Sequence, residues 1–319
     1  ARNLAFIGAG NYAGRVLIPA FARAGAGLHT VVSSGGVSGV HFGRKFGFRH
    51  AGTDADAAID ERTVDAVVVA TRHDSHARLT RAALERGKHV FVEKPLCLTL
   101  EELRGIEVAY RDRERRGEAP VLMVGFNRRF APHVRRIRAL LAPVKEPRTF
   151  IMTVNAGAIP ADHWTQDPAA GGGRLVGEAC HFVDLLRHLA DAPIVDHQLT
   201  AVGNVPGVGI RSDRVSFTLR FADGSFGTVH YLANGSKAFP KERLEVFAAG
   251  RVLQLDNFRR LRGYGWPGFG RMNLWAQDKG QTACAAAFVE AIAGTGPVPI
   301  PAEEVFEVAR VAIELDAKV

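Results

Sequence analysis

The sequence predicts an α/β protein whose first domain is a doubly wound parallel sheet and whose second domain is α+β, with an open, largely antiparallel sheet. Three observations lead to this prediction. Up to residue 126, apolar strand-like runs alternate with helical patterns, as when crossover helices join parallel strands. Later segments show apolar residues at every second position, which is typical of antiparallel hairpins. A length of 319 residues exceeds the usual span of one hydrophobic core, so we expect two domains, at residues 1–126 and 127–319.

The first part of the chain repeats a strand and a helix several times. Residues 3–8 form a short apolar run that ends at a glycine, and residues 13–24 space their apolar positions along one helical face. Two later runs, VDAVVVA and KHVFVE, are almost continuously apolar, as expected of strands covered on both faces. The same criteria predict strands at 28–33, 65–70, 88–92 and 121–125 and helices at 38–46, 75–86 and 99–117.

The pattern changes after residue 126. Residues 215–233 contain two alternating runs separated by Ala222–Ser225, and residues 243–258 contain two more around Gly250. Hairpins of this kind bury one face of their sheet. The remaining elements are predicted as a strand at 149–157, a glycine-rich loop at 171–173, and helices at 132–141, 175–189, 282–293 and 302–316.

The composition excludes a membrane-spanning protein and argues against several other classes. No apolar run approaches the roughly 18 residues that a membrane span requires. The 41 Lys and Arg against 33 Asp and Glu leave a net charge of +8, yet the basic residues are scattered among acids, so nucleic acid is not an expected partner. Cys97, Cys180 and Cys284 lie too far apart for a zinc motif or a disulfide framework. With no targeting segment before the first strand, we expect a cytoplasmic protein; the abrupt start also fits the downstream half of a longer polypeptide.

A glycine motif follows the first strand and opens the first helix. In the sequence GAGNYAG at residues 8–14, Gly8 would make the tight turn, Gly10 would let the backbone approach a pyrophosphate, and Ala13 would allow close helix packing. Asn11 and Tyr12 complete the loop, and the helix start offers N–H groups to phosphates. The pattern predicts a dinucleotide site, although a plain strand-to-helix turn has the same glycines.

The end of the second strand bears on the choice of cofactor. An Asp or Glu there normally binds the adenosine ribose of NAD, whereas this strand ends in Ser33 and Ser34, followed by two glycines. Small hydroxyl residues leave room for a 2′-phosphate, and Arg44 or Lys45 on the next helix could neutralise it. We therefore expect NADP, with NAD as the alternative. Arg44 and Lys45 are nearly as well explained as solvated helix residues.

Five motifs occur in a fixed order along the chain: GAGNYA at 8–13, ATRHDSH at 70–76, EKP at 93–95, VGFNRRFAP at 124–132 and GGGRLVGEACHFVDLLRHL at 171–189. Together they resemble the Gfo/Idh/MocA family of oxidoreductases. The resemblance implies a Rossmann domain, a second domain whose sheet faces the nicotinamide and commonly an oligomer partner, and oxidation or reduction of a sugar-like alcohol carbon. A dimer or tetramer is the expected assembly.

Lys94 and His181 are the expected catalytic residues. Removing a hydride from a secondary alcohol requires a group that accepts the hydroxyl proton and a donor to the developing carbonyl. Lys94 leaves the sheet at the carboxyl end of a strand, where open α/β sheets bind ligands, and the resemblance implies a cis bond to Pro95. His181 begins a helix and can titrate near neutral pH. A lone lysine is usually a surface residue, and a helix histidine can merely bond a carbonyl; the position after Glu93 favours function for Lys94.

The chain departs from the family pattern near His181. The family aspartate four residues before this histidine is replaced by Gly177. Glu178 could supply the carboxylate from a shifted angle, or proton transfer could proceed through Lys94 and His181 without one. Asp184 resembles the residue that follows the family histidine by three positions, which implies substrate contact or orientation of His181.

The resemblance implies further cofactor and substrate residues. Cofactor contacts are expected from Thr71, Arg72, His73, His76, Glu93, Lys94 and Pro95, and substrate contacts from Lys94, Asn127, Arg128, Trp164, Glu178, His181 and Asp184. Arg72 replaces the usual proline of its motif and would place a charge near the cofactor. The two histidines nearby lack a complete ligand set, so no metal is expected. Either Arg128 or Arg129 could instead be a structural, paired arginine, and Trp164 could stack on a sugar or pack in the core.

The sequence therefore predicts an NAD(P)-dependent oxidoreductase acting on a sugar, a nucleotide sugar or a cyclitol. A noncatalytic sensor of a dinucleotide or metabolite is the alternative, because the family aspartate is missing, and the fold alone does not dictate a carbohydrate substrate. The motif at 171–186 is closest to a subgroup fused behind a zinc-type alcohol dehydrogenase module, which would make such a module a fused or adjacent partner.

Overall fold

The computed structural model describes residues 2–319, which divide into two compact units. The first contains the chain through Phe126 together with Gln281–Ala309, and the second contains Asn127–Gly280 together with Arg310–Val319. The predicted second domain thus includes a segment, Gln281–Ala309, that packs with the first unit. Phe288 of this segment makes edge-to-face contacts with Phe21 and Phe91 of the first unit, at ring-centroid distances of 6.1 and 5.6 Å.

Fourteen strands form two sheets within residues 2–319. They are β1 (Asn3–Ile7), β2 (Gly27–Val32), β3 (His50–Gly52), β4 (Ala66–Val69), β5 (His89–Val92), β6 (Leu122–Val124), β7 (Thr149–Asn155), β8 (Ile194–Ala201), β9 (Arg214–Phe221), β10 (Phe226–Leu232), β11 (Glu242–Ala248), β12 (Arg251–Asp256), β13 (Arg260–Tyr264) and β14 (Arg271–Asn273).

Nine α-helices accompany them in the described chain: α1 (Ile18–Arg23), α2 (Val37–Phe46), α3 (Ala55–Asp60), α4 (His76–Glu85), α5 (Leu100–Arg115), α6 (Pro132–Leu141), α7 (Cys180–Ala190), α8 (Gln281–Ile292) and α9 (Ala302–Asp316). Two π-helical turns, Ala13–Leu17 and Leu175–Ala179, directly precede α1 and α7. Short 3₁₀ turns lie at His73–Ser75, Asn127–Phe130 and Trp164–Gln166. Within residues 2–319 no helix combines the length and the apolarity needed to cross a membrane.

The sheet of the first unit is entirely parallel, in the order β3-β2-β1-β4-β5-β6. Its central strands are buried on both faces, because helices return the chain to the amino edge after nearly every strand. The strand order reverses between β1 and β4: β2 and β3 follow on one side of β1, and β4, β5 and β6 follow on the other side. The predicted doubly wound parallel sheet is confirmed.

The second sheet has the order β14-β13-β12-β11-β7-β10-β9-β8 and is antiparallel except where β7 pairs with β10. Its strands alternate: Phe150, Met152 and Val154 of β7 are buried, and the residues between them are not. Gly227 of β10 lets α7 approach this inner face, since a Cβ there would lie 2.7 Å from Cδ1 of Leu186. The predicted α+β domain with an open, largely antiparallel sheet is likewise confirmed.

Five elements were not predicted from the sequence pattern. Each of them is short or lies at or next to the edge of a sheet. The strands β3 and β14 have three residues each, and α3 has six. The strand β8 lies at one edge of its sheet and β13 next to the other, where partial exposure removes the clean alternation that marks a strand. Their formation depends on pairing partners distant in sequence rather than on local propensity.

We predict that Gly280→Ala destabilises the protein far more than Gly250→Ala. Gly280 has a φ of +85°, and a Cβ there would lie 2.5 Å from the Asn127 carbonyl oxygen and from the Ala131 nitrogen. Gly250 has a φ of +70° but open space around its Cβ position. Backbone strain alone costs about 1–2 kcal/mol, and displacing backbone at Gly280 adds to that. Urea unfolding measures both; equal losses in the two variants would contradict the packing argument.

Candidate active site

The loop after β1 has the geometry of a phosphate-binding turn. Gly8 has a φ of +101°, and a Cβ there would lie 2.4 Å from the Ala70 carbonyl oxygen, so the loop can pass over the end of β4 only with glycine. Around Gly10, in contrast, a Cβ would meet no atom within 4 Å, which leaves the backbone open to a ligand. The buried Ala13 starts the π-helical turn, a distortion frequent at functional sites.

Close helix packing in this region depends on a residue that the motif analysis did not single out. A Cβ at Gly14 would lie 2.1 Å from the ring of Phe42 on α2, so the helix start can approach α2 only without a side chain. The last glycine of GAGNYAG was the available signal. Ala13, expected to serve this purpose, is also buried.

The end of β2 is polar and carries no acid. Ser33 is buried, and its hydroxyl accepts a hydrogen bond of 2.9 Å from the Gly39 backbone N–H at the start of α2. Ser34 is exposed. The structure does not bring Arg44 and Lys45 to this loop, because they lie in the last turn of α2, about 10 Å along the helix axis from its first residue. The expected contact of these two side chains with the cofactor stays a prediction.

The Glu-Lys-Pro triplet lies at the carboxyl end of β5, two strands from β1, and its Lys94–Pro95 bond is cis, as the resemblance implied. Glu93 has its carboxyl group against Gly125, where a Cβ would lie 2.7 Å from Oε1. Burial raises the pKa of Glu93 to about 7, and the charge of Lys94 opposes that shift. The triplet is therefore packed tightly against the end of β6.

His76 ties this triplet to the loop after β4. Its Nδ1 lies 2.7 Å from the Pro95 carbonyl oxygen and its Nε2 lies 3.2 Å from the Thr71 carbonyl oxygen. Burial lowers the pKa of His76, and the ring of His73 packs beside it at a centroid distance of 5.6 Å. Arg72 is exposed at the tip of the loop. Among residues 2–319, no three or more His, Cys, Asp or Glu side chains are grouped as a metal site.

In the second unit, His181 lies in the first turn of α7, and Asp184 follows one turn later. Asp184 is buried and receives two hydrogen bonds from the Arg129 guanidinium, at 3.1 and 2.5 Å. His181 is 7% exposed. Both oxygens of Asp184 thus bind Arg129. The two roles expected for Asp184, substrate contact or orientation of His181, stay predictions.

Arg128 also forms a buried ion pair. Its guanidinium donates to both oxygens of Glu242, at 3.0 and 2.8 Å, and the Lys279 ammonium donates to the same carboxylate at 2.7 Å. Asn127 Nδ2 donates to the Lys279 carbonyl oxygen. Burial opposes ionisation of Glu242, but Arg128 and Lys279 outweigh it and lower the pKa of Glu242 to about 2. The predicted substrate residues Asn127 and Arg128 therefore hold the unit together.

Glu178 lies in the π-helical turn that precedes α7, where three donors converge on it. Arg174 and the Tyr231 hydroxyl both donate to Oε2, at 2.7 and 2.6 Å, and the Lys241 ammonium lies 3.2 Å from Oε1. Burial opposes ionisation, yet these donors lower the pKa of Glu178 to about 2. This carboxylate is therefore ionised at neutral pH.

Trp164 is partly exposed and belongs to a 3₁₀ turn beside the glycine-rich loop. A Cβ at Gly171 would lie 2.4 Å from the Thr165 Cα. The glycine-rich loop can therefore pass close to the 3₁₀ turn only because Gly171 has no side chain. The Trp164 side chain is half-buried, which fits either of the roles expected for it.

Sequence reasoning missed Glu242, Lys279, Tyr231 and Lys241, because their partners are distant in sequence. It also missed Arg174, although the partner of Arg174, Glu178, is only four residues away. One signal was available. Glu242 is in phase with the buried Leu244 and Val246 of β11, and an acid at an inward strand position requires a cationic partner.

Comparisons with known proteins agree with these features. Residues 2–117 match the sequence profile described as "Oxidoreductase family, NAD-binding Rossmann fold" (GFO_IDH_MocA), and residues 144–250 match "GFO/IDH/MocA C-terminal domain". A levoglucosan dehydrogenase of Pseudarthrobacter phenanthrenivorans is 29% identical over 60% of this chain and 55% of its own length. A myo-inositol 2-dehydrogenase of Thermotoga maritima is 27% identical over 67% of this chain and 63% of its own. The chain thus spans less than two thirds of these relatives in the alignments.

A solved structure of a levoglucosan dehydrogenase in complex with NADH and levoglucosan superimposes with a TM-score of 0.86 at 23% identity, covering 99% of this chain and 96% of that one. This likeness concerns the fold.

We predict that Glu242→Gln lowers the free energy of unfolding at pH 7 by about 3–5 kcal/mol, because it leaves Arg128 and Lys279 buried without a counter-charge. Glu242 has a depressed pKa in the folded state, so its contribution is present above its ordinary pKa near 4.5 and is lost as the pH falls towards 2. The deficit of the variant should therefore shrink between pH 5 and pH 3, measured by urea unfolding at each pH.

The matched control is Glu85→Gln, which removes an exposed i,i+4 partner of Arg81 and should cost less than about 0.5 kcal/mol. A Glu242→Gln deficit that stays constant from pH 5 to pH 3 would show that the ionised carboxylate is not the source of the stability.

Proposed function

Since this chain belongs to the Gfo/Idh/MocA oxidoreductase family, we propose that it transfers a hydride between a nicotinamide dinucleotide and an alcohol carbon of a cyclic sugar or cyclitol. The observation that carries the proposal is the common sheet edge on which Gly8–Ala13 and Lys94 lie. The loops after β1, β2, β4 and β5 all leave the carboxyl edge of one parallel sheet, with the strand-order reversal between β1 and β4. Ligands of such sheets bind there.

The residues at this edge fit a dinucleotide. The open backbone at Gly10 and the helix start behind it suit a pyrophosphate, and Lys94 follows a strand about 10 Å from β1, roughly where the reactive end of an extended cofactor would lie. The bound cofactor supplies the hydride-accepting ring. Lys94 is proposed to hold the substrate oxygen and take part in moving its proton, with His181 as the second proton-transfer residue.

The substrate class follows from the relatives. The related proteins include dehydrogenases named for levoglucosan and for myo-inositol, which are neutral cyclic polyols. A half-buried, ionised carboxylate at Glu178 and a half-buried indole at Trp164 suit a ligand that offers hydroxyl groups and an apolar ring face. A nucleotide sugar stays a further possibility among the predicted substrates.

We propose NADP as the preferred cofactor, on the strength of the end of β2 alone. Ser33 and Ser34 leave no carboxylate where the adenosine ribose would bind, and α2 begins directly after them. This preference does not depend on Arg44 and Lys45, which lie in the last turn of α2.

A homo-oligomer is proposed through the outer face of the eight-stranded sheet. Phe247, Thr149 and Phe226 are paired neighbours across β11, β7 and β10 on this face, and both phenylalanines are at least 40% exposed. A row of exposed aromatic side chains on an uncovered sheet is typical of protein contacts. The cytoplasmic location and the fused or adjacent alcohol dehydrogenase-like module stay predictions.

Titration of the purified protein with NADPH and NADH, followed by turnover of levoglucosan and myo-inositol, tests the function. We predict that Lys94→Met keeps cofactor affinity within about threefold but lowers kcat by 100-fold or more, because it removes the proton-transfer group without touching the pyrophosphate loop. Lys88→Met, whose ammonium only bonds the carbonyls of Glu61 and Val64, is the control that should keep turnover. Cofactor binding with no turnover of any polyol would favour the sensor hypothesis.

Cofactor preference is tested separately. Ser34→Asp should lower the ratio of NADPH to NADH affinity by tenfold or more, because a carboxylate repels the 2′-phosphate and accepts from a ribose hydroxyl. Arg44→Ala should leave the ratio unchanged within about twofold. If Arg44→Ala weakens NADPH binding and Ser34→Asp does not, the placement of the 2′-phosphate at the end of β2 is wrong. Fluorescence titration measures both.

A further inference from the structure

Glu178 is held in one position by a buried frame. Arg174 is 5% exposed and donates to the Gly157 carbonyl oxygen at 2.6 Å as well as to Glu178. Tyr231 is fully buried, and its ring lies under the Arg174 guanidinium at 5.3 Å. Neither donor can move without leaving a buried polar group unsatisfied. The carboxylate is therefore fixed by groups that belong to three different segments of the chain.

The two oxygens of this carboxylate are used unequally. Each carboxylate oxygen accepts about two hydrogen bonds, and Oε2 already receives two, from Arg174 and Tyr231. Oε1 receives one, from Lys241. The Glu178 side chain is 22% exposed, in contrast to the buried Glu242. Oε1 thus has room for a second donor, on a side chain that is partly accessible.

The position of Glu178 in the chain places this acceptor beside a proposed catalytic group. It lies three residues before His181 along one helical segment, a spacing that brings side chains to neighbouring positions. The π-helical turn changes the direction in which residues 175–179 project relative to a regular helix. Glu178 thus supplies a carboxylate three residues before His181, although residue 177 is a glycine.

Resting on the proposed function, we propose that Glu178 accepts a hydrogen bond from a hydroxyl of the polyol substrate and takes no part in proton transfer, and that Tyr231 is the positioning residue that aims it. The phenol and Arg174 saturate Oε2 and turn Oε1 towards the ligand. The hydroxyl bound is one that is not oxidised. Substrate selection thus depends on a buried tyrosine that does not itself touch the substrate.

The first test is Glu178→Gln in the full-length protein with its cofactor, using whichever of levoglucosan and myo-inositol is oxidised. KM should rise about tenfold or more, because a charged acceptor is lost, while kcat stays within about threefold. The pH profile of kcat/KM should keep its shape between pH 6 and pH 10, since the pKa of Glu178 lies far below that range. A 100-fold loss of kcat, or loss of the profile's basic group, would make Glu178 a proton-transfer residue and overturn the proposal.

Substrate analogues that lack one hydroxyl identify the contact. Among the monodeoxy forms of the substrate, one should lose affinity towards the wild-type protein but lose no more than about twofold towards Glu178→Gln. Equal losses for both proteins with every analogue would overturn the hydrogen bond to Glu178.

Tyr231→Phe tests the positioning role. It should raise KM threefold to tenfold with kcat and the pH profile unchanged. Tyr110→Phe, which removes a largely buried phenol in the first unit, is the control and should leave KM unchanged. A Tyr231→Phe variant that melts at a lower temperature but keeps its KM would show a merely structural phenol and overturn the role.

The two proposals fail in different ways. A wild-type protein that binds the dinucleotide yet turns over neither polyol overturns the proposed function, and this inference with it. An active wild-type protein whose KM is unchanged in Glu178→Gln overturns this inference alone.

Discussion

Two adjacent buried arginines set the architecture of the second unit. Arg128 pairs with Glu242 of β11 and Arg129 pairs with Asp184 of α7, so one short turn is bound to both the sheet and the helix that covers it. Burying such charges costs several kcal/mol in desolvation, and the pairs offset this only while both partners are present. The two ion pairs fix the position of α7, which carries His181, relative to the sheet.

The first unit obeys a different constraint, that of close backbone approach. Gly8 must pass over the end of β4, and Gly14 must admit the ring of Phe42. At both positions a side chain is excluded because its Cβ would overlap neighbouring atoms, and no ion pair or hydrogen bond is involved in that exclusion. They bring the loop after β1, the serines after β2 and the triplet after β5 to one edge of the sheet. Polar pairing therefore shapes the unit proposed to select the substrate, and steric exclusion shapes the unit proposed to hold the cofactor.

Local sequence patterns predicted most of the fold and part of the candidate site. Continuous apolar runs marked β4 and β5 because both faces of a parallel strand are covered, and period-two runs marked the hairpins of the second sheet. Short edge elements such as β3 and β14 had no comparable signal. The sequence distance of Arg44 and Lys45 from β2 does not report which end of α2 carries them, and the structure places both in its last turn.

The sequence by itself determined the two fold types, the family and the chemical identity of the loops after β1 and β5, because these depend on the order and periodicity of residues along the chain. Only the tertiary structure decided which charged side chains form buried ion pairs that stabilise the fold. Arg128 and Asp184 look like ligand-binding residues in their motifs, yet each forms a buried ion pair with a partner more than 50 positions away. Hydrogen-bond capacity is limited, and which partner uses it is decided where distant segments meet.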